Sequence, residues 1–367
     1  MTFDLILIGF GHVGRRFAAL LHDRRRVLAR EHGVDARVVG IATRRHGCAY
    51  SAKGLNTRAL AVAVARGRSI GPAETGSAAA LLREATTTSR AAARNRRLVV
   101  VETTTLDIDR GEPAISHVRT ALSLGAHVVT ANKGPVAFAY HALARAAERA
   151  DRRFLFEGAV MDGVPIFNLV RETLPAVRVQ GFRGVINSTT NYMLTEMEQG
   201  RTFDAALAEM QASGIAEADP SFDVDGWDAA AKTAALANVL LDARITPHDV
   251  EREGITRDSG QRAVDARAAG RRLKLVARAD RGRGRVRARV ALEELAGDDL
   301  LAGLEGQQNA LVLRTDLLEE IAVVQRSGSL TQTAYALLSD LVTIARDVTA
   351  GRANRRSRPS ARARRSP

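Results

Sequence analysis

The stretch SGIAEADPSFDVDGWDAAAK, residues 213–232, places five acids, Glu217, Asp219, Asp223, Asp225 and Asp228, ahead of one base, Lys232. Its surroundings make that base unusual. The chain carries a formal charge of +13 and 54 basic residues, yet only Lys53, Lys133, Lys232 and Lys274 are lysines. Where a surface cation suffices, this sequence writes arginine. Lysine is compact and can give up its proton, which arginine effectively cannot. A surviving lysine is therefore read as a place where arginine fails. Asp228 and Lys232 are four apart and share a face if the segment is helical. An exposed ion pair would explain those two residues, but neither the preceding acids nor Lys133 in TANKGPVA.

A second motif points to a coenzyme. Gly9-Phe10-Gly11-His12-Val13-Gly14 follows the apolar run FDLILIGF and opens the helical pattern GHVGRRFAALLHDRRRVLAR. Glycines there allow a tight turn, close approach of backbone to a pyrophosphate, and close helix packing, while the helix N-terminus favours the phosphate charge. The next strand pattern, ARVVGIAT, ends at Ala42-Thr43-Arg44-Arg45 without the acid that would hold ribose hydroxyls. Arg44, with Lys53 from the following loop, suits a 2′-phosphate instead, so NADP is favoured and NAD is the alternative. Cys48, the single cysteine, falls toward the adenosine end, which disfavours thiol-based acyl chemistry and excludes a disulfide scaffold.

These residues need a scaffold. Strand and helix signals alternate through the first third: after ARVVGIAT come an alanine-rich helical region, RLVVVETT, ISHVRTALSLG and AHVVTANK. That rhythm predicts an α/β domain with a parallel Rossmann-type sheet. Farther on, RRFLFEGAV, AVRVQGFRGVINS and RVRARVALEEL read as strands of a second sheet. TNYMLTEMEQG, TFDAALAEMQASG, DAAAKTAALANVLL and AVDARAAGRRLKLVARA read as helices, an α+β pattern. The expected division is a dinucleotide-binding domain over 1–134, with 312–350 returning to it. Residues 135–311 form a catalytic and dimerisation domain, and 351–367 a disordered basic tail. That tail holds seven arginines and no acid, and without it the charge falls to +6. It reads as a solvated arginine tail rather than a nucleic-acid arm. No run of about 20 apolar residues exists, so no membrane span is expected. The N-terminus lacks a basic region and a cleavage site, and a cytoplasmic protein is the simplest account.

Together, INSTTNYML (186–194), GIAEADPSFDVDGWDAAAK (214–232) and TANKGPVA (130–137) closely resemble homoserine dehydrogenases. The likeness runs from about residue 3 to about 346. The resemblance implies NAD(P)-dependent hydride transfer between L-homoserine and L-aspartate 4-semialdehyde, in threonine and methionine biosynthesis, by a homodimer joined through the second sheet. It implies that Glu217 holds the substrate ammonium and that Asp228, with Asp223 in reach, positions substrate. Ser188 and Thr189 lie on backbone that touches it. Lys232 is implied as general acid/base, Lys133 as lying between nicotinamide and substrate, and Thr104 as lining the nicotinamide side. A proton-donating lysine works best with its pKa near neutrality, so burial and a positive Lys133 are expected to lower that of Lys232. A monovalent cation such as sodium is implied at Glu157 with the carbonyls of Val160, Asp162 and Val164; a buried structural Glu157 is the competing reading.

Three departures stand out. Ser188 replaces a glycine, Met161-Asp162 replaces small residues, and QRSGSLTQTAY puts Gln325, Ser327 and Ser329 at glycine positions around Gly328, a cofactor-contacting turn in the family. Longer members continue into a threonine-binding regulatory domain, so inhibition through one is not expected here. Two other readings stand beside this one: a dehydrogenase of another small amino- or hydroxy-aldehyde, and a non-catalytic NADP-binding sensor. Lys274 reads as structural or surface.

Overall fold

The computed structural model describes residues 2–71, 77–92, 97–212, 220–282 and 284–351. The N-terminal apolar run forms β1 (Thr2–Ile8), buried along nearly its whole length as a central parallel strand is. The glycine loop leads into α1 (His12–His32). Then come β2 (Asp35–Ala42), β3 (Cys48–Tyr50), α2 (Thr57–Ala65), α3 (Ala78–Ala92), β4 (Arg97–Glu102), α4 (Ala114–Ser123), β5 (His127–Thr130), α5 (Gly134–Ala150) and β6 (Phe154–Leu155). The strand order is β3-β2-β1-β4-β5-β6, with every pair parallel except β2–β3. Chain order reverses between β1 and β4, which opens a crevice at their carboxyl ends.

Alternate residues of β1 face opposite sides. Phe3, Leu5 and Leu7 pack with α1, while Ile6 and Ile8 pack with Leu81, Val118 and neighbours beneath α3 and α4.

The second unit comprises β7 (Val179–Val185), α6 (Ser188–Met197), α7 (Phe203–Ala212), α8 (Ser221–Val224), α9 (Trp227–Leu240), β8 (Glu251–Arg252), α10 (Ser259–Ala268), β9 (Arg271–Arg281), β10 (Val286–Ala296), β11 (Asn309–Thr315) and β12 (Glu320–Gln325). Its order is β12-β11-β7-β9-β10-β8, antiparallel except for β8–β10. Helix α9 is buried almost all round, and its alanines 229, 230, 231, 234, 235 and 237 let it lie close to both β9–β10 and α5. It thus bridges the two units. The last helix, α11 (Leu330–Thr349), returns to the first unit and packs along α1 through Leu337, Leu341 and Ile344. Each such leucine contributes about 1.5–3 kcal/mol by burial.

The expected division shifts in two places, and one expected helix is a strand. RRFLFEGAV contributes β6 to the first sheet, because the α5 crossover delivers Phe154–Leu155 beside β5. The first unit therefore extends past residue 134. The return begins with α11 rather than at 312, since β11 and β12 still belong to the second sheet. Finally, RRLKLVARA is not helical. Leu273, Leu275 and Ala277 alternate onto the core face, and pairing with β10 along the whole strand overrides local helix preference. That register buries Lys274 completely. Its Nζ donates to Asn191 Oδ1 at 3.0 Å and to the Leu304 carbonyl. Lys274 is thus structural, and not on the surface.

Candidate active site

The glycine loop is shaped by close approaches on one side and open space on the other. Gly9 has φ +92°, and a Cβ there would lie 2.6 Å from the Thr103 carbonyl oxygen. A Cβ on Gly14 would lie 2.6 Å from the Gly9 carbonyl oxygen. Gly11, by contrast, has nothing within 4 Å of that position. No side chain caps α1, so its first N–H groups are available to an external acceptor. Phe10 is buried, Val13 packs against the core, and His12 is exposed. The arrangement fits a pyrophosphate resting on Gly11 at the helix N-terminus.

Beyond β2, Arg44 is exposed in a loop closed by Thr43 N–H donating to the Gly47 carbonyl at 3.0 Å. Lys53 is not brought to it. β3 runs back antiparallel along β2, so Leu55 N–H reaches the Val38 carbonyl and Gly54 lies beside Arg37. At about 3.3 Å per residue this puts Lys53 roughly 13 Å behind the strand end.

The carboxyl ends of β4 and β5 supply Thr104 and Lys133. Glu102, fully buried, accepts from the Thr104 hydroxyl and N–H and from Thr130 Oγ1 at 3.1 Å. Asn132 Nδ2 donates to the Thr104 carbonyl at 2.9 Å, and its Oδ1 accepts from Gly134 N–H at 2.8 Å. These bonds fix Thr104 and Lys133 side by side at the crevice.

Lys133 then reaches across to α9. Its Nζ lies 3.1 Å from Asp228 Oδ1, while Lys232 Nζ lies 2.8 Å from Asp228 Oδ2. One carboxylate therefore grips a lysine from each unit. Lys232 also donates to the Ile186 carbonyl at 2.7 Å. Asn187 Nδ2 bridges Asp228 Oδ2 at 2.8 Å and Asp223 Oδ1 at 2.7 Å, while its Oδ1 caps α6 by accepting from Thr190 N–H at 2.8 Å. Ser188 and Thr189 follow directly as the first residues of α6.

The electrostatics follow from this packing. Burial alone would raise Asp228, but Lys133 and Lys232 hold it well below the usual carboxylate range. Asp223 is pushed up, first by burial and then by repulsion from Asp228. Lys232 departs from expectation. Burial pulls it down, but the directly bonded Asp228 outweighs that and leaves it raised. The carboxylate is in contact, so it wins over both desolvation and the second lysine.

Glu157 begins the next loop, buried, with its carboxylate committed to the chain's own backbone. Oε1 accepts from Ile166 and Phe167 N–H, the latter at 2.9 Å, and Oε2 accepts from Asn168 N–H at 2.6 Å. Nearby Asp340 of α11 accepts from Glu157 N–H at 2.9 Å. Burial raises both acids, Asp340 to about 7. The side chain of Glu157 therefore holds the loop, and an ion among Val160, Asp162 and Val164 would rest on carbonyl oxygens in a negative field. No cluster of three or more histidine, cysteine, aspartate or glutamate side chains fit for a metal occurs among the described residues. Gly328 sits against Asp162, where a Cβ would come 2.7 Å from Oδ2.

Glu217 and Asp219 lie outside the described residues, as does the tail beyond Gly351. Asn187, Asn132 and Glu102 escaped the sequence reading. Asn187 stands just before the helical pattern in INSTTNY, a capping position whose other amide atom can serve the site.

The chain is similar to known proteins along most of its length. A family profile described as homoserine dehydrogenase matches residues 165–342, and one described as homoserine dehydrogenase, NAD binding domain, matches 9–157. An NAD(+)-dependent homoserine dehydrogenase of Pseudomonas canavaninivorans is 36% identical over 348 residues, 95% of this chain and 97% of its own. A homoserine dehydrogenase of Methanocaldococcus jannaschii is 34% identical, covering 93% and 98%. Among solved structures, a homoserine dehydrogenase from Thiobacillus denitrificans superposes with TM-score 0.79 at 30% identity, over 98% of this chain and 76% of that one. A hyperthermophilic archaeal homoserine dehydrogenase in complex with NADPH gives 0.76 at 28%, over 94% and 98%.

Proposed function

This chain belongs to the homoserine dehydrogenase family of NAD(P)-dependent oxidoreductases, and on that premise we propose how its own residues interconvert L-aspartate 4-semialdehyde and L-homoserine. The observation that carries the reading is the grip of Asp228 on Lys133 and Lys232 at once. When bound at Gly9–Gly14, the reduced dinucleotide supplies the hydride. Lys232 gives its proton to the substrate carbonyl oxygen. Asp228 and the Ile186 carbonyl keep that ammonium charged and aimed until the oxygen takes a hydrogen. Lys133 and Thr104 border the nicotinamide side, and the Lys133 charge steadies the developing alkoxide. Glu217 receives the substrate ammonium, while Asp228 and Asp223, bridged by Asn187 next to Ser188 and Thr189, position the substrate.

Arg44 supports NADP over NAD, now without Lys53. The loop after Glu157 supports a monovalent cation held by the carbonyls of Val160, Asp162 and Val164, with oxygen ligands suited to such an ion. A second copy packs across the second sheet, where Leu317, Leu318 and Val324 are exposed at the β11–β12 end. The work is done in the cytoplasm, and no helix among the described residues is long and apolar enough to cross a membrane.

Oxidation of NADPH and of NADH, measured with aspartate semialdehyde and with other short aldehydes, tests this. Lys232→Ala should cut turnover about 10²–10⁴-fold, the usual reach of general acid catalysis, with coenzyme affinity intact. Deleting the tail should change little. A better substrate among the other aldehydes, or near-normal turnover in Lys232→Ala, defeats the assignment.

A further inference from the structure

Two of the departures from the family pattern, Asp162 and the turn at 325–333, are distant in sequence but meet in the fold. Asp162 sits at φ +48°, in the left-handed region that residues other than glycine seldom occupy. Both carboxylate oxygens face the C-terminal turn. Oδ2 accepts from Gln325 Nε2 at 2.9 Å, and Oδ1 accepts from Thr333 Oγ1 at 3.0 Å. Gln325 is buried. Its Nε2 also donates to Gln332 Oε1 at 2.9 Å, and its Oε1 accepts from Asn309 Nδ2 at 3.1 Å.

The backbones are equally close. A Cβ on Gly163 would stand 2.5 Å from the Gln332 carbonyl oxygen, and one on Gly328 would stand 2.7 Å from Asp162 Oδ2. From the other side, Arg16 of α1 donates through Nε to Thr331 Oγ1 at 3.0 Å. Arg16 lies two residues past Gly14. The first turn of α11 is therefore held by the glycine-loop helix on one flank and by Asp162 on the other.

We propose that Asp162 is a positioning residue, a strut that ties the second unit to the glycine-loop helix through the turn at 325–333 and holds the dinucleotide cleft in its binding shape before the coenzyme arrives. The strut ends beside the chemistry, since the Asp162 charge also reaches Lys232 and favours its protonated form. Gln325 matters because a glycine there would offer Asp162 no side-chain donor. Asp162 in turn gives the buried Gln325 amide its charged acceptor, and hydrogen bonds to charged groups are the stronger kind. The two departures thus support each other.

The proposal rests on coenzyme binding at Gly9–Gly14, which Gly11→Ala tests separately. The strut is tested by a double-mutant cycle on NADPH affinity, read from coenzyme fluorescence. Asp162→Gly removes the carboxylate, takes φ +48° without strain, and keeps the carbonyl that an ion would use. Its partner variant is Gln325→Ala. Each should weaken NADPH binding about five- to twentyfold, and the double variant should be no weaker than the worse single one. Asp162→Asn, which retains an acceptor oxygen, should restore most of the affinity. The same result is expected in sodium and in a bulky organic cation, which separates the strut from an ion effect. Thr331→Val, cutting the link to Arg16, should weaken binding in the same direction. Affinities within twofold of the parent in both single variants, with only thermal stability lowered, would overturn the proposal, as would simple additivity in the double variant.

Discussion

Replacing Asp228 by asparagine tests the electrostatic core of the site most directly. The side chain keeps its shape but loses the charge that sits 2.8 Å from Lys232 and 3.1 Å from Lys133. At an effective dielectric constant of about 20, a pair at that separation interacts with about 6 kcal/mol. Losing that attraction lowers the proton affinity of Lys232, which the Asp228 carboxylate holds above the ordinary lysine value. Part of it is recovered locally. Asp223 is held up partly by repulsion from Asp228, so removing that charge lets Asp223 ionise and support both lysines through the shared Asn187 region. A net fall is the expected remainder. In the reduction direction a protonated Lys232 is needed, so activity is lost as pH rises through its pKa. The basic limb of the kcat profile should therefore move to lower pH. Thermal stability should drop as well, because two partly buried cations lose their buried partner; broken fully buried pairs typically cost about 3–5 kcal/mol, and this one less. The assay is NADPH oxidation with aspartate semialdehyde from pH 6 to 10. A basic limb that stays where it was in the parent, with kcat within threefold, would refute the view that Asp228 controls the Lys232 proton.

Three further outcomes follow from single positions. Gly11→Ala meets no protein atom within 4 Å, so stability should change by less than about 1 kcal/mol, whereas coenzyme affinity should fall at least about tenfold as the methyl meets the phosphate. Unchanged affinity by titration would place the dinucleotide elsewhere. Arg44→Ala should lower the NADPH-to-NADH ratio of kcat/KM by about 10- to 100-fold, the worth of one charge-assisted phosphate contact, and an unchanged ratio would remove Arg44 from coenzyme choice. Burial lowers Lys274 to about 8, so the folded state binds fewer protons than the unfolded state between that value and the ordinary lysine value. Stability should therefore rise with pH across that window. The penalty, about 3 kcal/mol at most, is present below pH 8. Lys274→Met should flatten the rise in urea midpoint between pH 8 and 10; a variant that keeps the parent's slope would show that another group causes it.

Much of this site is legible from residue types and spacing. Asp228 and Lys232 share a helix face because four residues make about one turn, and that holds whatever surrounds the helix. The Gly9–Gly14 loop is legible because what its glycines permit, a positive φ at Gly9 and open space at Gly11, is local. Lys133 stands out because arginine is so dominant elsewhere. RRLKLVARA misleads for the opposite reason. Its alanines and arginines allow a helix, and only the partner strand β10 makes it a strand that buries Lys274.

Sequence by itself determined which groups can donate, accept or carry charge, and which of them lie on one local element. Tertiary structure decided what those groups do to one another. It brought Lys133 from the end of β5 to the same carboxylate as Lys232, and it buried Lys232 in direct contact with Asp228, whose charge raised a lysine expected to be lowered. It turned β3 back along β2 and carried Lys53 away from Arg44. It joined Asp162 to Gln325 across 163 residues. Proton affinity and hydrogen-bond pairing depend on the nearest charges and donors in space, and for these residues the nearest neighbours come from elements distant in the chain.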